Sequence, residues 1–252
     1  MKILLPDNIF SRIIASVIND KDERLIVNYP SGLLSKNLTK EKDAIALIPT
    51  LDLLNHKDFY VSQRLGISFD ESISNSYIYF DQKEKLASKI VLAGDVSSNE
   101  AILTKILFSE TYGTDIDLSF EKINGGIPGN NRVLVGDRNF IEDNLNAAIS
   151  FAEEVIELIS APYVNFVFAS ESEDALKNFH LKYQEIISTV YPIDVFEKMN
   201  VGFSTAVNNY IVDNLQHAIF SFNEQDLEGM KQLLQLPYYH GLINDVIDVK
   251  YV

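Results

Sequence analysis

A short apolar strand that breaks into polar residues and then into a helix constrains this chain more than any other feature. Lys2–Pro6 reads as a wholly buried strand and Phe10–Asn19 as a helix, with Asp7 and Asn8 at the joint. A strand that enters a helix within two or three residues is the starting unit of an open α/β sheet. Ligands of such sheets bind beyond the carboxyl ends of the strands, which is where Asn8 falls.

The pattern recurs. Ile9, Phe10, Ile13, Ile14, Val17 and Ile18 give the first helix a broad apolar face. Asp20–Glu23 is a charged turn, Leu25–Tyr29 a second strand ended by Pro30-Ser31-Gly32, and Leu33–Leu38 holds a short helix. Ala44–Ile48 is a continuous apolar run suited to a strand buried on both faces, and Pro49 opens the next short helix, Thr50–Asn55. Phe59–Val61 and Ser76–Phe80 are further strands.

A second series follows: strand Ile90–Leu92, helix Ala101–Phe108, strand Ile116–Phe120, the turn-rich NGGIPGNN stretch of Asn124–Asn131, strand Val133–Val135, helix Asn144–Ile159 and strand Tyr163–Ala169. The remainder is mainly helical, over about 173–189, 195–199, 202–217 and Leu227–Leu236, with an extended piece at Ala218–Phe222. Two βα series with a helical return predict an α/β protein of two lobes and a central ligand cleft. One lobe holds 1–80 plus 170–252, and the other, inserted through a hinge, holds 81–169.

Charge and composition narrow the function. A net charge of −15 opposes nonspecific attraction to nucleic acid or anionic lipid, so neither is an expected partner. A small anion remains compatible, because local N–H donors act inside the roughly 8 Å over which salt screens the distant field. The chain has no cysteine, which rules out disulfides, thiolate catalysis and cysteine-based metal sites. No segment approaches the roughly 20 apolar residues of a membrane span. Asp7 interrupts any leader-like apolar run, so the expected location is the cytoplasm.

Conventional catalytic motifs are missing: there is no G-x-S-x-G, no P-loop and no H-E-x-x-H, and His56, His180, His217 and His240 are scattered singly. No metal site is expected. The candidates are small polar residues at strand ends: Asn8, Thr50, Ser74-Asn75-Ser76, Ser97-Ser98-Asn99 and Gly136-Asp137-Arg138. Hydroxyl, amide and backbone N–H groups at such positions can hold a carboxylate. Each also has a structural alternative. Asn8 can cap the first helix, Ser97 begins a capping-box sequence ending at Glu100, and Asp137 can cap a turn. Arg138 either supplies a cation to a ligand or pairs with Glu142.

The order of DAIALIPTLDLL, SNSYIYF, EAILTKILF, RVLVGD and SAPYVNFVFAS, closed by DLEGMKQLLQLPYYHGLI, resembles the chorismate dehydratase family of the futalosine menaquinone pathway. The resemblance runs over nearly the whole chain and rests on order and spacing. It implies a type-2 periplasmic-binding-protein-like fold and a cofactor-free carbon–oxygen lyase that dehydrates chorismate to 3-[(1-carboxyvinyl)oxy]benzoate. The substrate's own enolpyruvyl carboxylate would act as base while the protein positions the dianion. Asn8 takes the place of the family's cleft asparagine, Ser76 that of its serine on the strand into the second lobe, and Gly136-Asp137 keeps its Gly-Asp turn. The resemblance thus implies catalytic roles for Asn8 and Ser76, and the strand-end positions supply Thr50, Ser97, Ser98, Asn99, Asp137 and Arg138 as expected substrate contacts. The chain departs from the family where Asn99-Glu100 replaces Thr-Ser, where Arg138-Asn139-Phe140 replaces small and apolar residues, and where Pro6-Asp7 replaces Tyr-Val. A non-catalytic small-carboxylate-binding protein of the same fold is the alternative.

Overall fold

The computed structural model describes residues 1–18, 25–80, 88–121, 131–142 and 145–252. In chain order these form β1 (Ile3–Leu5), α1 (Ile9–Ile18), β2 (Ile26–Asn28), α2 (Leu34–Leu38), β3 (Ile45–Pro49), β4 (Tyr60–Phe69) and β5 (Ser76–Tyr79). Then come β6 (Lys89–Gly94), α3 (Ser98–Tyr112), β7 (Asp117–Phe120), β8 (Arg132–Val135), α4 (Arg138–Ile141), β9 (Ala148–Ser150) and α5 (Phe151–Ile159). The last stretch holds β10 (Tyr163–Ser170), α6 (Glu173–Ser188), α7 (Pro192–Lys198), α8 (Thr205–Asn214), β11 (Ala218–Ser221), α9 (Glu224–Tyr239) and β12 (Lys250–Tyr251). Short 3₁₀ turns at Ser31–Leu33 and Thr50–Leu54 follow β2 and β3.

The strands make two sheets, one per lobe. The first has the order β11-β4-β10-β3-β1-β2, with β12 added to β4; the second has the order β7-β6-β8-β5-β9. Within the first, β1 runs parallel to β2 and β3, while β10 is antiparallel to both β3 and β4. Strands β1, β3 and β10 are buried along their whole length, which accounts for the unbroken apolar runs ILL and IALI. Helix α1 covers this sheet with Ile9, Phe10, Ile13, Ile14 and Ile18.

The chain passes between sheets after Phe69 and again between Ser150 and Tyr163. Both crossings precede the places expected from sequence. Ser76–Tyr79 belongs to the second sheet, where it pairs with β8 and β9, and Tyr163–Ser170 belongs to the first. Apolar strands look alike on either side of a hinge, so only their pairing assigns them.

Two other expectations change. The expected helix over 144–159 starts at Phe151, where Ser150 caps it by accepting from Glu153 N–H at 3.2 Å. Ala148–Ser150 is instead a strand that pairs with β5. The expected strand Phe59–Val61 is the start of the ten-residue β4, which continues through polar Ser62, Gln63 and Arg64. The Ser62 hydroxyl accepts from the N–H groups of Arg64 and Leu65 at 3.1 and 2.9 Å where the β10 register shifts. The charged turn at 20–23 lies outside the described residues, as does the NGGIPGNN stretch except for Asn131.

Candidate functional site

The carboxyl ends of β1, β2 and β3 in the first lobe face those of β6 and β8 in the second. Gly94-Asp95 follows β6 and Gly136-Asp137 follows β8, and the two glycines have nearly the same left-handed backbone, φ 83° and 86°. That turn swings each aspartate toward the other lobe.

Asp137 accepts the Ile9 N–H at the start of α1 at 2.8 Å and pairs with Arg12 of the same helix. Arg12 also reaches Asp7 at 3.2 Å. Asp95 takes two donors from one residue, Ser31 N–H at 2.8 Å and Ser31 Oγ at 2.6 Å. Asn99, in the first turn of α3, accepts the Leu51 N–H at 2.9 Å and donates to the Asn165 carbonyl at 2.7 Å. Three side chains of the second lobe therefore satisfy backbone N–H groups at the starts of three turns of the first. Burial raises the Asp95 pKa, opposed by the Ser31 donors, and raises that of Asp137, opposed by Arg12.

Behind this seam lies a fully buried polar layer. Glu100 turns inward and closes the capping box of α3: the Ser97 N–H and Oγ donate to it at 3.0 and 2.7 Å. The Ser76 hydroxyl donates to its other oxygen at 2.8 Å. Burial raises the Glu100 pKa against these donors, and it raises that of Tyr163, whose hydroxyl accepts from Asn165 Nδ2 at 2.7 Å, well above the usual value. The Thr50 hydroxyl donates to the Val164 carbonyl at 2.6 Å.

An open cavity of about 550 Å³ adjoins the seam, lined by Pro30, Gly32 and Leu33 from the first lobe and by Leu92–Val96, Phe120, Glu121 and Arg138 from the second. Leu33 and Phe120 are its exposed apolar walls.

The expected site residues thus divide between the seam and the polar layer behind it, and they do not all reach the cavity. Arg138 lines it, and is bound to Glu142 at 2.6 Å and to Glu121 at 2.5 Å. Asn8 is 1% exposed: its Oδ1 caps α1 by accepting from Ser11 N–H at 2.9 Å, while its Nδ2 has no hydrogen-bond partner among the described residues. The Ser98 hydroxyl is also buried and has no partner among the described residues. Thr50, Ser76, Ser97 and Asn99 are buried and engaged. Asp137 caps no turn of its own; it reaches across to α1. Arg12, Ser31, Asp95 and Asn165 were absent from the expected set. For Asp95 the signal was present, since Gly94-Asp95 repeats the Gly136-Asp137 pair after a neighbouring strand.

The histidines lie apart from the seam: His180 is hydrogen-bonded to Ser62 at 2.8 Å, and His217 sits beside Asp70 at 2.9 Å. Among the described residues no three His, Asp or Glu side chains gather as metal ligands, and no helix is long and apolar enough to cross a membrane.

No protein-family model and no curated protein matches the chain. Solved structures do. The alkanesulfonate-binding protein SsuA from Xanthomonas axonopodis pv. citri, bound to MOPS, has a TM-score of 0.66 at 12% identity, covering 100% of this chain and 97% of that one. The ligand-binding component of an ABC-type import system from Staphylococcus aureus has a TM-score of 0.61 at 11% identity, covering 97% and 92%. The Candida albicans CA3427 gene product, described as having the generic periplasmic binding protein fold, has a TM-score of 0.56 at 11% identity, covering 97% and 91%. The class defined by these likenesses is one of fold: the chain is a two-lobed protein of the type-2 periplasmic-binding-protein-like architecture.

Proposed function

We propose that this protein binds a small carboxylate-bearing molecule between its lobes. The observation that supports this most is the seating of Asp95 and Asp137. Each places a carboxylate on hydrogen-bond donors of the opposite lobe, the Ile9 N–H with Arg12 in one case and the Ser31 N–H and hydroxyl in the other. Those donors suit an anion, and α1 adds the positive end of a ten-residue helix. The Asn8 amide beside Ile9 adds a buried donor that the described residues leave unused. Ligand-binding proteins among the fold neighbours support a small-molecule partner. A thermal-shift panel of aromatic and aliphatic carboxylates, each with its amide, tests the reading: at least one acid raises the melting temperature and its amide does not. Stabilisation by neutral or cationic molecules alone would sink it.

A second reading, dehydration of chorismate without a cofactor, draws on the sequence resemblance, which sets Asn8 in the place of the family's cleft asparagine, and on its buried Nδ2, which has no partner among the described residues. The engagement of Ser76 with Glu100 favours binding over this reaction, because the hydroxyl is already committed to an internal carboxylate. Incubation with chorismate alone decides the matter. Formation of 3-[(1-carboxyvinyl)oxy]benzoate, lost in Asn8→Ala, supports the lyase, and no product at high protein concentration removes it.

A further inference from the structure

We propose that Asp95, Asn99 and Asp137 form an internal latch by which the chain's own side chains hold the cleft shut. All three belong to the second lobe and all three accept from the first, at Ser31, Leu51 and Ile9. The contacts are spread along the whole seam, each joining the start of one turn to a strand end or helix start opposite. The closure is also steric: a Cβ on Gly32 would stand 3.2 Å from the Val96 carbonyl oxygen, so the lobes touch beside the Ser31–Asp95 contact. The two aspartates, unlike Asn99, are not fully buried, so each can exchange its protein donors for water when the lobes part. Asn99 is 0% exposed, so the Leu51 N–H that it holds meets water only when the lobes part. A ligand must displace the aspartates to reach the donors they occupy, so latch strength sets the affinity of whatever binds there. The latch stands on these contacts whichever ligand the cleft takes.

Amide hydrogen exchange on the ligand-free protein tests this, using Asp95→Ala/Asp137→Ala. Ile9 and Ser31 N–H lose their own acceptors and exchange faster in any case, so the decisive probe is Leu51 N–H, whose partner Asn99 is untouched. Loss of two charge-assisted contacts that hold the lobes should speed exchange at Leu51 by about tenfold or more, with no change inside β3. Unchanged exchange at Leu51 overturns the latch and reduces the aspartates to local caps. The absence of native cysteine allows a second arm that needs no destabilised variant. Ser31→Cys/Asp95→Cys should form a disulfide in air and slow Leu51 exchange relative to its reduced form. Failure to oxidise, or oxidation without slowing, also overturns the proposal.

Discussion

Replacing Asn99 with alanine tests how much of the lobe junction rests on one buried amide. Asn99 is fully buried and makes two hydrogen bonds, at 2.9 Å from Leu51 N–H and at 2.7 Å to the Asn165 carbonyl. Alanine leaves a buried donor and a buried acceptor without partners, at about 1–3 kcal/mol each, so the expected loss is about 2–6 kcal/mol. Water entering the space would bring the loss toward the lower figure. Even that is a large share of the roughly 5–15 kcal/mol that keeps a domain folded. Asn99→Asp should be at least as damaging. A carboxylate can still accept from Leu51, but it turns a lone pair on the Asn165 carbonyl and adds charge beside the buried Glu100. The assay is urea unfolding at neutral pH, followed by far-ultraviolet circular dichroism and by tyrosine fluorescence, since the chain has no tryptophan and 12 tyrosines. Coincident transitions justify a single free energy. A loss below about 0.5 kcal/mol at unchanged slope would refute the reasoning, because it would mean the two freed groups find partners at no cost.

Three other outcomes follow from the same structure. Burial, with the Arg64 charge beside it, pushes His180 from 6.5 down to about 4, so its contribution is fully present above pH 6.5 and is lost as pH falls through 4. That amounts to about 3 kcal/mol, and His180→Gln should flatten the acid limb of stability measured between pH 7 and 4; an unchanged limb would contradict it. Gly94→Ala should cost about 2–4 kcal/mol, since its Cβ would lie 2.1 Å from the Val135 carbonyl oxygen in addition to the strain of φ 83°. Gly136→Ala meets only Asp95 Cβ at 3.6 Å and should cost about 1 kcal/mol from backbone strain, so thermal melts should rank the first well below the second.

Much of the fold is legible in the sequence because it follows from local pattern. The strands ILL and IALIP and the apolar face of α1 show directly as runs and as helical spacing, and the capping box at Ser97 and Glu100 as a four-residue word. What local pattern cannot supply is pairing. Ala148–Ser150 carries nothing that separates a strand from a helix start, and the unpaired edge of β5 decides it. β4 runs through three polar residues because Ser62 holds a bulge there with its own hydroxyl. The site divides in the same way. Strand-end position picks out Asn8, Thr50, Ser97 and Asp137; Asn8 and Ser97 find local partners, but those of Thr50 and Asp137 lie far away in sequence, as with the separation of 128 between Ile9 and Asp137. Asn8 serves as cap and free donor at once, so the two alternatives open for it in the sequence are compatible. Arg138 pairs with Glu142, the local alternative, yet still lines the cavity.

The most direct test of carboxylate binding between the lobes is a nitrogen-15 NMR titration of the protein with the acid that stabilises it best in the thermal-shift panel. The expected result is saturable shifts led by the amides of Ile9, Ser31 and Leu51 and by the side-chain amide of Asn8. Saturable shifts confined to residues away from the seam, with those four signals unmoved, would contradict it.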